Sequence, residues 1–436
     1  MKKFLVVLLA LGLIVAFSAP AAATDVKFSG SYYVAGYYDN NHDLGKDANA
    51  SPSDAYYAQR LRVVTVFQVA EGLSLNTRFD AMERVWGADR STPTASGTPA
   101  AVAADSQNIS FERAYVSFAV PVGTFYVGYQ EGAVWGTKFG DGSTSVPRIK
   151  FVNKTGPWTF LLCTEKGYEL DHASTTQADE DKDLYLAAFQ YKWNGGDAGL
   201  LYEFINDATA SGTVSPDLGY KGKIHVLEPY FKATFGPVYL EGEFQYAFGK
   251  YKEYEASGTS DVDEDSMAAY LYGKINLGQF YVGGQYAFVS GDDPATEDKR
   301  EGGLFSGDTL YNPCLILWNY PFMAWSPNLG NANSAPIATY KMANAVLYQV
   351  FAGMKPLEKL SIAASLSIAN ADEKGTSVDN SYGTEFDISG TYKIYDNLSY
   401  MVGFGYLWTG DYFKGTSASN EVENDYLLMN KLTLSF

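Results

Sequence analysis

Asp425-Tyr-Leu-Leu-Met-Asn-Lys-Leu-Thr-Leu-Ser-Phe436 ends the chain as an alternating stretch. Successive side chains of a strand point to opposite faces, so Leu428, Leu432, Leu434 and Phe436 share one face while Met429, Lys431, Thr433 and Ser435 share the other. One face is apolar and its neighbour mixed, which suits a strand standing between hydrocarbon and water.

The other end of the chain agrees. Lys2 and Lys3 precede an apolar run from Phe4 to Phe17, and Ser18-Ala-Pro-Ala-Ala-Ala23 then supplies small residues. The pattern predicts an export leader over residues 1–23, with Thr24 starting a single barrel domain over 24–436. The apolar run is shorter than the ~20 residues of a spanning helix. Every later apolar stretch is broken at alternate positions by Gly, Ser, Thr or charge, which excludes a bundle of membrane helices. An aromatic C-terminal residue after alternating apolar positions also resembles the signal by which outer-membrane barrels are recognised for assembly, so Phe436 is expected to be read by the barrel assembly machinery.

Composition narrows the classes further. Aromatic residues make up 15% of the chain, with 34 Tyr, an excess that amphipathic rings at a lipid interface explain. The formal charge of −18 becomes −20 once Lys2 and Lys3 leave with the leader, which argues against nucleic-acid binding. Acidic runs such as Asp179-Glu-Asp-Lys-Asp183 and Asp261-Val-Asp-Glu-Asp265 read as solvated loops, with divalent bridges to lipopolysaccharide as the alternative. Cys163 and Cys314 have no metal-ligand spacing, and no cofactor is expected.

Alternation yields eighteen candidate strands of roughly ten residues, with sixteen as the competing count. Eight short turns, among them Ala70-Glu-Gly-Leu73 and Asn194-Gly-Gly-Asp197, intersperse nine longer loops rich in Gly, Ser, Asp, Asn and Thr. The fold class is therefore all-β: a transmembrane antiparallel up-and-down β-barrel with short periplasmic turns and long extracellular loops. An even strand count lets the first strand pair with the last and leaves no edge. One parity is apolar throughout, as in Leu61, Val63, Phe67 and Val69, or Tyr400, Val402, Phe404 and Tyr406.

The opposite parity carries charges that no dry core would bury unpaired, but that a water-filled lumen accommodates. It contains Arg60, Arg62, Arg78, Arg84, Arg113, Arg148 and Lys150 as a basic wall over the second to sixth strands, with Asp80 directly across from Arg62. Acidic candidates follow on later strands: Glu203, Glu228, Glu241, Glu243, Glu385 and Asp387. Opposed walls of this kind would set a transverse field that sorts solutes by charge and size.

Arg113-Ala-Tyr-Val-Ser-Phe118, Val122-Gly-Thr-Phe-Tyr-Val-Gly-Tyr-Gln130 and Trp135-Gly-Thr-Lys-Phe139 occur in the order of a fourth strand, a fifth strand and an inserted loop. In this the chain resembles the general porins of Gram-negative outer membranes, trimers of sixteen- or eighteen-stranded barrels whose third loop narrows the channel. The resemblance implies a homotrimer in outer-membrane lipid and lipopolysaccharide, passing small hydrophilic solutes and ions. It also implies an eyelet in which Arg62, Arg78, Arg113 and Arg148 face Asp141 and Glu131, with Trp135, Lys138 and Phe139 in the constriction loop. Lys138 departs from an acidic loop and tilts the expectation toward anions.

The loop from Ser290 to Lys341 is too apolar for a plain surface loop, with Asn312-Pro-Cys-Leu-Ile-Leu-Trp-Asn-Tyr-Pro-Phe-Met-Ala-Trp-Ser-Pro327 at its centre. It is expected to cover the mouth, pack on a neighbouring subunit or enter the lumen, and a disulfide from Cys163 to Cys314 would pin it. An enzyme is not expected. His42 and His172 lie in loops, and His225 faces lipid, which leaves no base for a nucleophile. The alternative function is a substrate-selective channel for sugar, phosphate or organic acid, kept open by inward Tyr115, Tyr126, Tyr230, Tyr270, Tyr272 and Tyr281.

Overall fold

In the computed structural model the described residues are 25–46, 53–88, 109–170, 172, 180–212, 218–302, 309–330 and 338–436. The expected leader, residues 1–23, lies outside them. The barrel strands are β1 (Asp25–Asp39), β2 (Asp54–Ala70), β3 (Leu73–Val85), β4 (Ile109–Val120), β5 (Gly123–Gly132) and β6 (Thr144–Thr155). They continue as β7 (Trp158–Tyr168), β8 (Lys182–Trp193), β9 (Gly196–Asp207), β10 (Tyr220–Phe235), β11 (Val238–Tyr254) and β12 (Val262–Leu277). The last six are β13 (Phe280–Val289), β14 (Ala345–Leu357), β15 (Leu360–Asn370), β16 (Ser381–Tyr395), β17 (Leu398–Thr409) and β18 (Asp425–Ser435).

Each strand pairs antiparallel with its neighbour in sequence, and β1 pairs with β18 through Tyr33↔Thr433, closing an eighteen-stranded barrel. Closure gives every backbone donor and acceptor at membrane depth a partner, the condition hydrocarbon imposes. Lys299–Arg300 forms a further two-residue strand beside β12, outside the barrel count. The terminal residue takes part in closure: the Gly30 amide donates to the Phe436 carbonyl at 2.8 Å and the Phe436 amide to the Gly30 carbonyl at 3.1 Å.

Two-residue turns join the strands at the end carrying both termini. At Gly156 and Gly236 the backbone adopts φ of 59° and 58°, a left-handed conformation that only glycine takes without steric cost. The outer surface is apolar, with Leu162, Leu271, Val282, Val350 and Val402 exposed along it.

Bulges correct the parity reading at one predicted site. Met82 takes φ of 55°, and the β2–β3 register shifts between Gln59 and Leu61. The extra residue turns Glu83 inward, where it meets Arg60 at 3.3 Å, and sets Arg84 beside Gln59 on the outward parity. Arg84 is therefore not part of the basic wall. A second shift, between Arg78 and Phe79 against β4, gives Glu112 an inward place beside Arg78.

The upper lumen is packed. The loop between β13 and β14 folds into the barrel, and its described part buries Ile316, Leu317, Trp318, Phe322, Met323 and Leu329 against inward residues such as Tyr37, Leu347, Leu407 and Leu427. A one-turn helix, α1 (Tyr320–Met323), sits in this insert; Asn319 caps it by accepting from the Phe322 amide at 3.3 Å, and Pro321 occupies its first turn.

Candidate permeation pathway

Strands β2 to β6 build one wall. Arg62 stands opposite Asp80 and donates to both its oxygens, at 2.7 Å from Nε and 2.6 Å from the guanidinium terminus. This planar, two-pronged pair fixes Arg62 tightly. Arg60 lies over the Tyr33 ring at 5.2 Å and contacts Glu83. Arg113 donates to Glu131 at 2.9 Å, and Arg148 donates to Glu165 through two nitrogens at 2.5 and 3.1 Å. Lys150 lies over the Tyr126 ring at 5.0 Å.

Two cations on this side are held less closely. The nearest carboxylates to Arg78 are Asp80 at 3.6 Å and Glu112 at 3.8 Å, and its buried Nε has no partner. Lys431, on β18, lies over the Tyr33 ring at 4.4 Å and has no carboxylate partner among the described residues.

The loop of residues 133–143 crosses from β5 to the far wall. The Trp135 indole donates to the Glu228 carbonyl at 2.9 Å. The Thr137 amide and hydroxyl both donate to Glu243 Oε2, at 2.7 and 2.5 Å. Phe139 stacks on Tyr270 at 5.1 Å with an interplanar angle of 11°, and Tyr311 closes over it edge-on. Gly136 and Gly140 permit this approach, since a Cβ on either would fall 2.3 to 2.4 Å from Glu243 Oε1. Lys138 remains exposed, and Asp141 is half-buried near the end of the loop.

A second carboxylate anchors the insert between β13 and β14. Glu385 Oε1 accepts from the amides of Leu315 at 3.0 Å and Ile316 at 2.6 Å, and Oε2 accepts from the Leu317 amide at 2.9 Å. Asp387 accepts from Ser365 at 3.2 Å. Glu385 is 0% exposed, Glu228 3% and Glu243 5%. The expected acidic wall is thus largely covered: the Glu243 and Glu385 carboxylates anchor loops through amides and a hydroxyl, while the Glu228 carboxylate accepts from the Gln245 side chain at 3.3 Å and meets the crossing loop through its backbone carbonyl. Glu241 binds the hydroxyls of Tyr239 at 2.6 Å and Tyr270 at 3.0 Å. Glu203 stands on β9 opposite Leu186 and Val226.

Between the basic wall and the insert lies a cavity of about 510 Å³. Arg60, Arg62, Arg78 and Lys431 line one side with Asp80, Glu83 and Glu112, while Tyr320, Trp325 and Tyr340 of the insert line the other. Gly142 and Ser143 of the crossing loop complete it. A smaller cavity of about 300 Å³ lies elsewhere against the insert, touching Tyr272, Tyr281, Cys314 and Asp387.

The expected disulfide is not formed. Both thiols are free and buried; Cys163 lies against the Thr164 carbonyl, and Cys314 donates to Ser367 at 3.3 Å. Cys314 is held on the β15 side by the Glu385 anchor, far around the wall from β7. His225 faces outward, its Nδ1 2.8 Å from the Tyr202 hydroxyl.

Parity in the sequence could have nominated Lys431 and Glu165, which fall on the inward set of their strands. Glu83 and Glu112 carried no such signal, because bulges place them. Tyr320 and Trp325 reach the path only through the folding of the insert.

A family model described as Gram-negative porin matches residues 10–409. Solved barrels of Pseudomonas aeruginosa share the fold. OccK9 (OpdG) is 12% identical, with 94% of this chain and 99% of that chain covered and a TM-score of 0.54. OccK2 (OpdF), solved with glucuronate, is 11% identical over 95% and 99% with a TM-score of 0.53. OpdK, solved with vanillate, is 11% identical over 94% and 99% with a TM-score of 0.51. No curated protein matches by sequence.

Proposed function

The chain belongs to the Gram-negative porin family, an outer-membrane channel for passive diffusion of small hydrophilic solutes and ions, and we propose that its narrowest passage favours anions. The observation that carries this reading is the pair Arg78 and Lys431, two cations on the 510 Å³ cavity without a close carboxylate hydrogen bond. Arg62, Arg113 and Arg148 are each matched to a carboxylate and contribute less field.

The test is a planar bilayer with purified protein in asymmetric salt. The reversal potential should have the sign of anion preference at pH 7.5; cation preference would sink the reading. Acidification should strengthen the anion preference. Burial, and then the neighbouring Glu131 charge, push the Asp141 carboxyl up to about 6. Asp141 is therefore ionised at pH 7.5 and mostly neutral at pH 5, so lowering the pH removes one negative charge from the crossing loop. An Asp141→Asn channel should lose that part of the pH response.

A second reading, a channel selective for organic acids, is supported by Tyr320, Trp325 and Tyr340 opposite the cations. A flat carboxylate has a ring face to stack on and guanidinium donors to meet. Saturable block of the ionic current by benzoate supports selectivity; ohmic current unaffected by benzoate supports a general pore.

We also propose cleavage of the 1–23 leader, recognition of Phe436 during assembly, and a homotrimer formed through the outer face of β18 to β4. Polar outward positions support that face, since Thr77 on β3 and Asn430 on β18 share the parity of the apolar residues of their strands. Polar groups facing hydrocarbon are costly unless protein covers them. Bulky Trp at both Thr77 and Asn430 should convert a trimer-sized band on unheated gels to monomer, and an unchanged band would reject the interface.

A further inference from the structure

Asp39-Asn-Asn-His-Asp-Leu-Gly45 follows directly from β1 and places oxygen-bearing side chains at alternate positions, 39, 41 and 43. Such spacing recurs in loops that wrap a calcium ion, where the sixth position turns sharply. Here the sixth residue, Leu44, takes φ of 56°, the left-handed conformation that turn requires.

Folding adds a fourth group. Asp39 ends β1 opposite Leu427, two residues inside Asp425, which opens the paired strand β18, and the two carboxyl groups lie within hydrogen-bond reach at the loop end of the barrel seam. The Asn41 amide nitrogen of the backbone donates to Asp425 Oδ1 at 2.8 Å. Asn41 Nδ2 donates to the Gly45 carbonyl at 3.1 Å, which settles the orientation of the side-chain amide and turns its oxygen away from that contact.

Three oxygens then remain buried without a partner: Asp39 Oδ1, Asn41 Oδ1 and Asp425 Oδ2. Their residues are 2%, 6% and 0% exposed. Among the described residues no lysine or arginine lies within ion-pair distance of Asp39 or Asp425; the charged neighbours are His42, whose Nδ1 is 3.5 Å from Asp39, and Asp43, 3.2 Å from His42 Nε2. Two adjacent buried carboxylates and an amide oxygen, all acceptors, lack the cation or donor that would satisfy them.

We propose that Asp39, Asn41 and Asp425 form a binding site for a hard divalent cation, calcium, at the extracellular rim of the barrel. All three donors are oxygens, and an irregular set of two carboxylates and one amide oxygen, completed by water, suits calcium better than the smaller, strictly octahedral magnesium. The ion would tie three segments together. The Glu423 amide already donates to the Leu44 carbonyl at 2.9 Å, and the Gly330 amide of the long insert donates to the His42 carbonyl at 2.7 Å. Occupancy would thereby stiffen the β1–β18 seam and one attachment of the insert.

The test uses protein refolded in detergent without lipopolysaccharide and stripped with a chelator. Calcium titration should raise the melting temperature saturably, with calorimetry giving about one ion per chain and half-saturation in the ~0.1–1 mM range of extracellular sites. Asp425→Asn and, as a milder change that keeps both acids, Asn41→Ala should each weaken binding at least about ten-fold, the loss that removing even an outer-shell partner of a ligand brings. Melting and calorimetry that do not respond to calcium in the unaltered protein would overturn the proposal. So would an Asp425→Asn protein that binds as before, or one that melts higher without metal while the unaltered protein takes up none, since a proton shared by two acids would then explain the pair.

Discussion

Glu385→Ala should raise the single-channel conductance several-fold. One carboxylate accepts the amides of Leu315, Ile316 and Leu317, and it is sealed from water. Removing it leaves the N–H groups of Ile316 and Leu317 without an acceptor, each costing about 1–3 kcal/mol, and leaves the Leu315 amide only its 3.4 Å contact with Asp387. That sum rivals what holds a single loop in place, so the insert should leave the lumen, or sample open positions, to regain hydrogen bonds with water. The aromatic face of the 510 Å³ cavity would leave with it. Glu385→Gln keeps the shape and one strong acceptor and should have a smaller effect. Because the barrel strands do not depend on the insert, retained β-sheet circular dichroism separates release of the loop from loss of the fold. Wild-type conductance and wild-type current noise in the alanine channel would show that the anchor does not hold the insert.

Arg78→Ala combined with Lys431→Ala should move the reversal potential from anion to cation preference. The cavity holds four cations against three carboxylates, so removing two cations inverts the balance. The shift should be largest at ~0.1 M salt, where the Debye length is about 10 Å, and fade at 1 M, where it is about 3 Å. A paired control distinguishes field from fold: Arg148→Gln with Glu165→Gln removes one charge of each sign from a tight pair and should leave the reversal potential unchanged. If the control shifts as far as the double alanine channel, the assignment of the loosely held cations is wrong. If the double alanine channel keeps its anion preference, the path runs elsewhere.

The contrast between these residues marks how far the primary structure reaches. A strand has a period of two, so the alternation at Leu61 to Val69 and at Tyr400 to Tyr406 already told lipid side from water side. The eight short turns, the nine loops and the outward Leu428 to Phe436 face followed from the same period, and the eighteen strands close as that count required. Inward Arg62 and Asp80 were legible by parity and by a turn centred near Glu71; the actual two-residue turn pairs Ala70 with Leu73, and the register shift between Gln68 and Ala70 is what sets Arg62 opposite Asp80.

The same rule misplaces Arg84, because one extra residue at Met82 inverts parity for everything beyond it. It also cannot say what an inward charge faces. Glu228, Glu243 and Glu385 have the parity of a water-filled wall, yet each is covered by a loop that arrives from another part of the chain. Local spacing determined the barrel, its orientation and the inward charges other than those that bulges place, Glu83, Arg84 and Glu112. Which of those charges stay open to solutes was decided by the tertiary structure alone, since burial of a carboxylate under backbone amides depends on contacts between residues as distant as Thr137 and Glu243 or Leu317 and Glu385.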